Sequence, residues 1–99
     1  MSVLFVAEIA EVTDQARYAE YVRQVPAVIA RHGGKYLVRG GRPRTVFGGW
    51  TPSRVIVIEF ADEKAAKACF ESEDYKRIAP LREGGTRSRA VIVERCDQG

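Results

Sequence analysis

Alternation of apolar and polar residues along the chain predicts four strands and three helical segments. Residues 3–12 (VLFVAEIAEV) read as a strand with two apolar faces: Val3, Phe5, Ala7 and Ile9 on one, Leu4, Val6 and Ala10 on the other. A strand wet on one side would alternate more cleanly. Thr13 and Asp14 supply an N-cap and a first-turn acid for a helix running to about His32. In it, Ala19, Val22, Val25 and Ile29 have the spacing of one buried stripe. Pro26 predicts a kink or the start of a second helical piece, and Gly33 and Gly34 end the helix.

Residues 35–39 (KYLVR) read as a second strand. The stretch 40–53 (GGRPRTVFGGWTPS) is rich in glycine and proline and reads as a long arm. Its Val46, Phe47 and Trp50 are too apolar for a free solvent loop, so the arm is expected to pack on something. Residues 54–60 (RVIVIEF) are the clearest strand. Asp62 then caps a helix over 63–71 with Ala65, Ala66, Cys69 and Phe70, and Ser72 caps another over 73–81 with Tyr75 and Ile78. Gly84 and Gly85 are expected to break that helix, and 89–95 (RAVIVER) is the last strand. The order β-α-β-β-α-β predicts one α+β domain over 1–99, ferredoxin-like, with an antiparallel sheet and helices on one face.

That topology leaves the second sheet face uncovered. Yet Val55 and Val57 oppose Ile56 and Ile58, and Val91 and Val93 oppose Ile92, so both faces are apolar. No element is left over to cover the second face. A homodimer packing sheet face on sheet face solves this without extra sequence.

Composition narrows the class. Hydrophobic residues are 45% and charged residues 29% of the chain, an ordinary globular mixture. No apolar run reaches the roughly 18 residues of a membrane span. The N-terminus lacks a basic region and Glu8 interrupts its apolar run, so no signal peptide is expected. Cys69 and Cys96 are too few for a disulfide scaffold. These features point to a cytoplasmic domain.

Charge changes the picture more. The net charge is only +3, but no carboxylate occurs from Tyr21 to Ile58, a stretch that carries Arg23, Arg31, Lys35, Arg39, Arg42, Arg44 and Arg54. Arginine outnumbers lysine twelve to four, and its planar fork suits carboxylates or phosphates. Either this is a solvated basic face or it lines an anion-binding cleft.

The candidate ligand-binding residues are Arg39, Tyr36, Arg54, Trp50, Tyr18 and Tyr21. Arg39 and Arg54 flank the arm and are placed to clamp a carboxylate, or to pair internally with Glu59. Tyr18 and Tyr21, three apart on the first helix, share one side and line a cleft or cover the core edge. Phe47 and Trp50 close a pocket or dock on a partner subunit. The catalytic candidates are His32, the sole histidine, and Glu59, whose pKa should rise if the apolar strand around it desolvates it. One histidine without ligand-spaced partners points to no metal and no haem, and no phosphate loop or nucleophile elbow is present, so no cofactor is expected.

The string GGKYLVRGG (33–41), then GGWTPSRVIVIEF (48–60), then SEDY (72–75) resembles the domain of unknown function 1330 family, over roughly residues 3–95. The ending ERCDQG departs from that family's shorter one. The resemblance implies a dimeric α+β barrel built from ferredoxin-like protomers. It implies no fixed activity. The wider superfamily holds cofactor-independent monooxygenases and isomerases, as well as haem enzymes, so the fold does not choose among them.

Two readings of function stand. In the first, the protein binds or transforms a small organic acid or aromatic compound in a cleft near Arg39. In the second, it is a structural or stress-associated homodimer without catalysis. RNA binding fits the topology and the charge, but RVIVIEF lacks the exposed aromatics that stack bases, so no nucleic-acid partner and no membrane partner are expected.

Overall fold

The computed structural model describes residues 1–96; the last three residues of the ERCDQG ending lie outside them. The elements are β1 (Val3–Val12), α1 (Gln15–Arg31), β2 (Lys35–Gly40), β3 (Arg54–Phe60), α2 (Glu63–Phe70), α3 (Glu73–Gly85) and β4 (Thr86–Glu94). The strands form one antiparallel sheet in the order β2-β3-β1-β4, with both helical connections packed on one face. This is the ferredoxin-like α+β fold.

The register sorts side chains by face. Phe5 lies between Ile58 and Ile92, Ala7 between Ile56 and Ala90, and Ile9 between Arg54 and Ser88, all on the helix-covered side. The helices close over them with Val25, Val28, Ile29, Ala66, Cys69, Tyr75 and Ile78, and Phe60, Ile29 and Cys69 are the most deeply buried large side chains. At the turn after α1, an added Cβ on Gly34 would stand 2.5 Å from Ile29 and 2.9 Å from Phe60, so the tight return from helix to strand requires glycine there.

Several local expectations change. Tyr18, not Ala19, belongs to the buried stripe of α1. Asp14 is the N-cap, its side chain accepting from the Arg17 amide at 3.1 Å, and the first turn holds no acid. Pro26 divides nothing: α1 runs as one element. The largest difference is at Gly84 and Gly85, which continue α3 rather than ending it before 82. The Gly85 carbonyl accepts from the amides of Thr13 and Asp14 at 2.9 and 3.2 Å. A Cβ at Gly84 would stand 2.5 Å from the Arg17 side chain, and one at Gly85 3.1 Å from the Tyr18 backbone. The glycines therefore serve a close approach between the end of α3 and the start of α1.

Among the described residues, no helix covers the other sheet face. It presents Leu4, Val6, Val55 and Val57 half-buried, and Val38, Val91 and Val93 exposed. The accessible surface is 6654 Å², against about 5,600 Å² expected for a folded monomer of this mass. No helix among the described residues is long and apolar enough to cross a membrane.

Candidate functional site

The helix-covered face does not fill completely. Ala7, Ala90 and Ser88 sit side by side on β1 and β4 and are too short to reach the helices. Above them a cavity of about 480 Å³ opens between the sheet and α1 and α3. Its body is apolar and aromatic: Phe5, Ile9, Val22, Val25, Ile56, Ile58 and Phe70, with Tyr18, Tyr21, Tyr36 and Tyr75. Arg39, Arg54, Arg82 and Arg89 are set into this lining, and Glu83 is its one carboxylate among the described residues.

Arg39 reaches the cavity through an irregularity in β2. Tyr36 pairs with Ile58, Val38 with Val57 and Arg39 with Ile56, so Leu37 is an extra residue on its strand. Strict alternation would put Tyr36 and Arg39 on opposite faces. The bulge puts both on the helix side, with the Arg39 guanidinium over the Tyr36 ring at 5.0 Å.

Arg54, at the start of β3, lies over the Tyr18 ring at 5.6 Å. Gly40, at φ 95°, makes room for it: a Cβ there would stand 2.8 Å from its Nη2. The Arg54 Nε is buried with no hydrogen-bond partner among the described residues. Neither Arg39 nor Arg54 has a carboxylate within salt-bridge distance there. A buried, unpartnered Arg54 Nε against an aromatic wall, with the exposed Arg39 at the cavity's edge, has the chemistry to receive an anion.

Burial raises the pKa of Tyr18 and of Tyr36, and burial together with the adjacent Tyr75 hydroxyl pushes Tyr21 well above the ordinary phenol range. The Tyr21 and Tyr75 hydroxyls are 2.8 Å apart, and Arg82 Nε donates to the Tyr75 hydroxyl at 3.1 Å.

Five of the six ligand-binding candidates, Tyr18, Tyr21, Tyr36, Arg39 and Arg54, line this one cavity. Trp50 is elsewhere. It donates to Glu8 at 2.6 Å, and Glu8 also accepts from Arg89 at 2.7 Å, on the uncovered sheet face. This lays the arm along β1 with Val46 and Phe47 fully exposed. His32 is the C-cap of α1 and is not in the cavity lining. Glu59 is also outside it, on the uncovered face. It accepts from Ser2 at 2.8 Å and Arg95 at 2.6 Å rather than from Arg39 or Arg54. Those two bonds hold its carboxyl below the usual range, the reverse of the rise expected from a desolvating strand.

Arg82, Tyr75 and Ser88 are the lining residues sequence reasoning passed over. Tyr75 and Arg82 are seven apart on α3, hence on one helical face, which is the signal that pairs them.

A four-stranded antiparallel sheet, helices on one face and a cavity between the layers define a ferredoxin-like domain with an internal cavity of small-molecule size. The chain belongs to the family described as a domain of unknown function (DUF1330), which matches residues 2–96. No curated protein is found to be similar to it. Among solved structures it is similar to a protein of unknown function from Rhodopseudomonas palustris, with 17% identity, 97% of this chain and 83% of that one covered, and a TM-score of 0.80. A dimeric ferredoxin-like protein of unknown function from Jannaschia sp. matches with 14% identity, 96% and 100% coverage and a TM-score of 0.75. SnoaB, a cofactor-independent oxygenase from Streptomyces nogalater, matches with 17% identity, 97% and 94% coverage and a TM-score of 0.69. At these identities the likeness is one of fold.

Proposed function

We propose that the cavity binds a small aromatic or apolar organic acid, with its carboxylate at Arg54 and Arg39 and its body against Tyr18, Tyr36 and Phe5. The observation that carries this reading is the pair of cavity-lining guanidinium groups without a carboxylate partner among the described residues. A thermal-shift screen of aromatic and aliphatic acids tests it. Arg54→Met is the decisive variant. Its buried Nε is unpaired, so the substitution should leave folding stability unchanged or raised, while acid-induced stabilisation disappears. If no acid stabilises the wild-type chain, the ligand-free structural homodimer is the better reading.

Catalysis in this cleft is the further step. The oxygenase description of SnoaB suggests oxygenation of an organic substrate without a cofactor, and isomerisation is the alternative. Oxygen uptake with each acid that binds discriminates between them. Among the described residues, Glu83 is the one carboxylate in the lining and no histidine stands there, so binding comes first in the order of tests.

The working unit we propose is a homodimer joined through the uncovered sheet face. Its apolar valines, an accessible surface about 1,000 Å² above the monomer expectation and the dimeric state of the Jannaschia protein support this. A standard interface buries about 800 Å² per partner, which this face can supply. The strands present valines and leucine on this face and, among the described residues, no aromatic of their own, with Trp50 of the arm bonded to Glu8 beside them, which favours a second copy over RNA. Light scattering should give a dimer, and Val91→Glu a monomer; a wild-type species of 11.0 kDa would refute the interface. Two free cysteines fit a reducing cytoplasmic setting.

A further inference from the structure

The proton count around Tyr21 and Tyr75 does not close. The two hydroxyls carry two hydrogens, and the bond between them uses one, whichever donates. Arg82 Nε brings its own hydrogen to Tyr75 and takes none away. One phenolic hydrogen therefore has no acceptor among the described residues. Both rings and Arg82 line the cavity, and burial keeps Tyr21 protonated. Arg82 Nη1 lies 3.4 Å from Ser88 Oγ and Nη2 3.8 Å from Glu83, so its guanidinium is held against the cavity wall by weak contacts. A spare O–H backed by a cation is a donor poised for an oxygen that carries partial or full negative charge.

This donor cluster is not the carboxylate site. Arg54 and Ser88 pair with Ile9 from opposite sides. Their backbones are therefore roughly 10 Å apart, two cross-strand steps. Small and apolar side chains, Ala7 and Ile9, lie between them. A six-membered ring with substituents at opposite ends bridges such a gap.

Building on the acid-binding reading above, we infer that Tyr21, Tyr75 and Arg82 form a second pole of the cavity that takes a carbonyl oxygen. The ligand is then two-headed: an aromatic acid bearing a ketone or similar acceptor on the far side of its ring.

The test compares two ligands of one shape on the full chain in its native oligomeric state. 4-Acetylbenzoate carries the carbonyl, and 4-isopropylbenzoate replaces it with an apolar branch. Calorimetry should show wild type preferring the acetyl compound by roughly tenfold or more, the scale of a buried hydrogen bond supported by charge. The bound acetyl carbonyl stretch should move to lower frequency. Tyr21→Phe combined with Tyr75→Phe keeps both rings, removes both phenolic hydrogens, and should abolish both the preference and the frequency shift while retaining isopropyl binding; either single change leaves one phenolic hydrogen free. Arg82→Gln should reduce both. Arg54→Met should weaken the two ligands equally and leave the preference intact. Thermal unfolding of each variant confirms that it folds, and the carbonyl frequency in Arg82→Gln carries the test if the double variant does not. Equal wild-type affinities, or a preference that survives the loss of both hydroxyls in the double variant, would overturn the second pole while leaving the acid site standing. Binding of neither compound would overturn both.

Discussion

Filling the cavity should make the protein more stable and less able to bind. Ala7 is 9% exposed and sits on the cavity floor between Ile56 and Ala90. Ala7→Leu adds three carbons there. At about 0.8 kcal/mol per buried methylene the gain is at most about 2.4 kcal/mol. Leucine gives up about 0.5–1 kcal/mol of rotamer freedom on burial, so the net is about 1.5–2 kcal/mol. For a domain of this size that raises Tm by roughly 6–16 °C. Scanning calorimetry at one fixed protein concentration measures it, because the midpoint of a dimer depends on concentration. The same sample should lose most of its thermal response to 4-isopropylbenzoate. A loss of more than about 1 kcal/mol would mean that leucine is overpacked, and that the void argued from Ala7, Ala90 and Ser88 does not exist.

Three further outcomes are expected. Gly34→Ala should cost about 1–3 kcal/mol in urea unfolding, because the added methyl overlaps Ile29 and Phe60; a neutral result would contradict the packing of that turn. The carboxyls of Glu8, Glu59 and Asp74 are held below their ordinary values, chiefly by bonds from Arg89, Ser2 and Arg31 respectively. Such groups contribute fully above the ordinary carboxylate value and lose their contribution as pH falls through the depressed one, so the urea midpoint followed by Trp50 fluorescence should drop from about pH 5 toward pH 3. Constant or rising stability over that range would refute the assignment. Cys96 is exposed, whereas Cys69 is fully buried and its thiol is pushed up to about 11 by burial, with Asp74 adding to it. A thiol reagent at about pH 8 should therefore titrate one cysteine per native chain and both after denaturation; fast reaction of both in the native state would count against the core.

Much of this was legible because the period-two and period-3.6 patterns are clean. RVIVIEF reads as a strand with two apolar faces, and Asp62 and Ser72 cap the helices as expected, accepting from Ala65 and Tyr75 at 2.8 and 3.2 Å. The arginine-rich, carboxylate-free middle of the chain marked the cavity, since Tyr36, Arg39 and Arg54 come from it. What was hidden depends on contacts between distant segments. Gly84 and Gly85 look like breakers in isolation; only the nearness of Arg17 and Tyr18 explains why they stay helical. Glu59 looks like a base in an apolar strand until Ser2 and Arg95, far away in sequence, are found to bind it. Arg82 carries only its spacing of seven from Tyr75 as a local signal, because its role depends on a hydroxyl pair linking α1 to α3.

The extra residue in β2 bears on how relatives of this chain should be aligned. Leu37 occupies no rung of its own: Tyr36 is followed on the ladder by Val38 and then Arg39. Losing its codon would leave a regular strand in which Tyr36 and Arg39 still share the helix side. Deletion of this one residue is therefore silent for the cavity, whereas a substitution at Arg39 is not. A homologue with one residue between its aromatic and its arginine presents the same pair of side chains as this chain does with two. Counted by column, the two sequences differ; counted by which side of the sheet each residue faces, they agree.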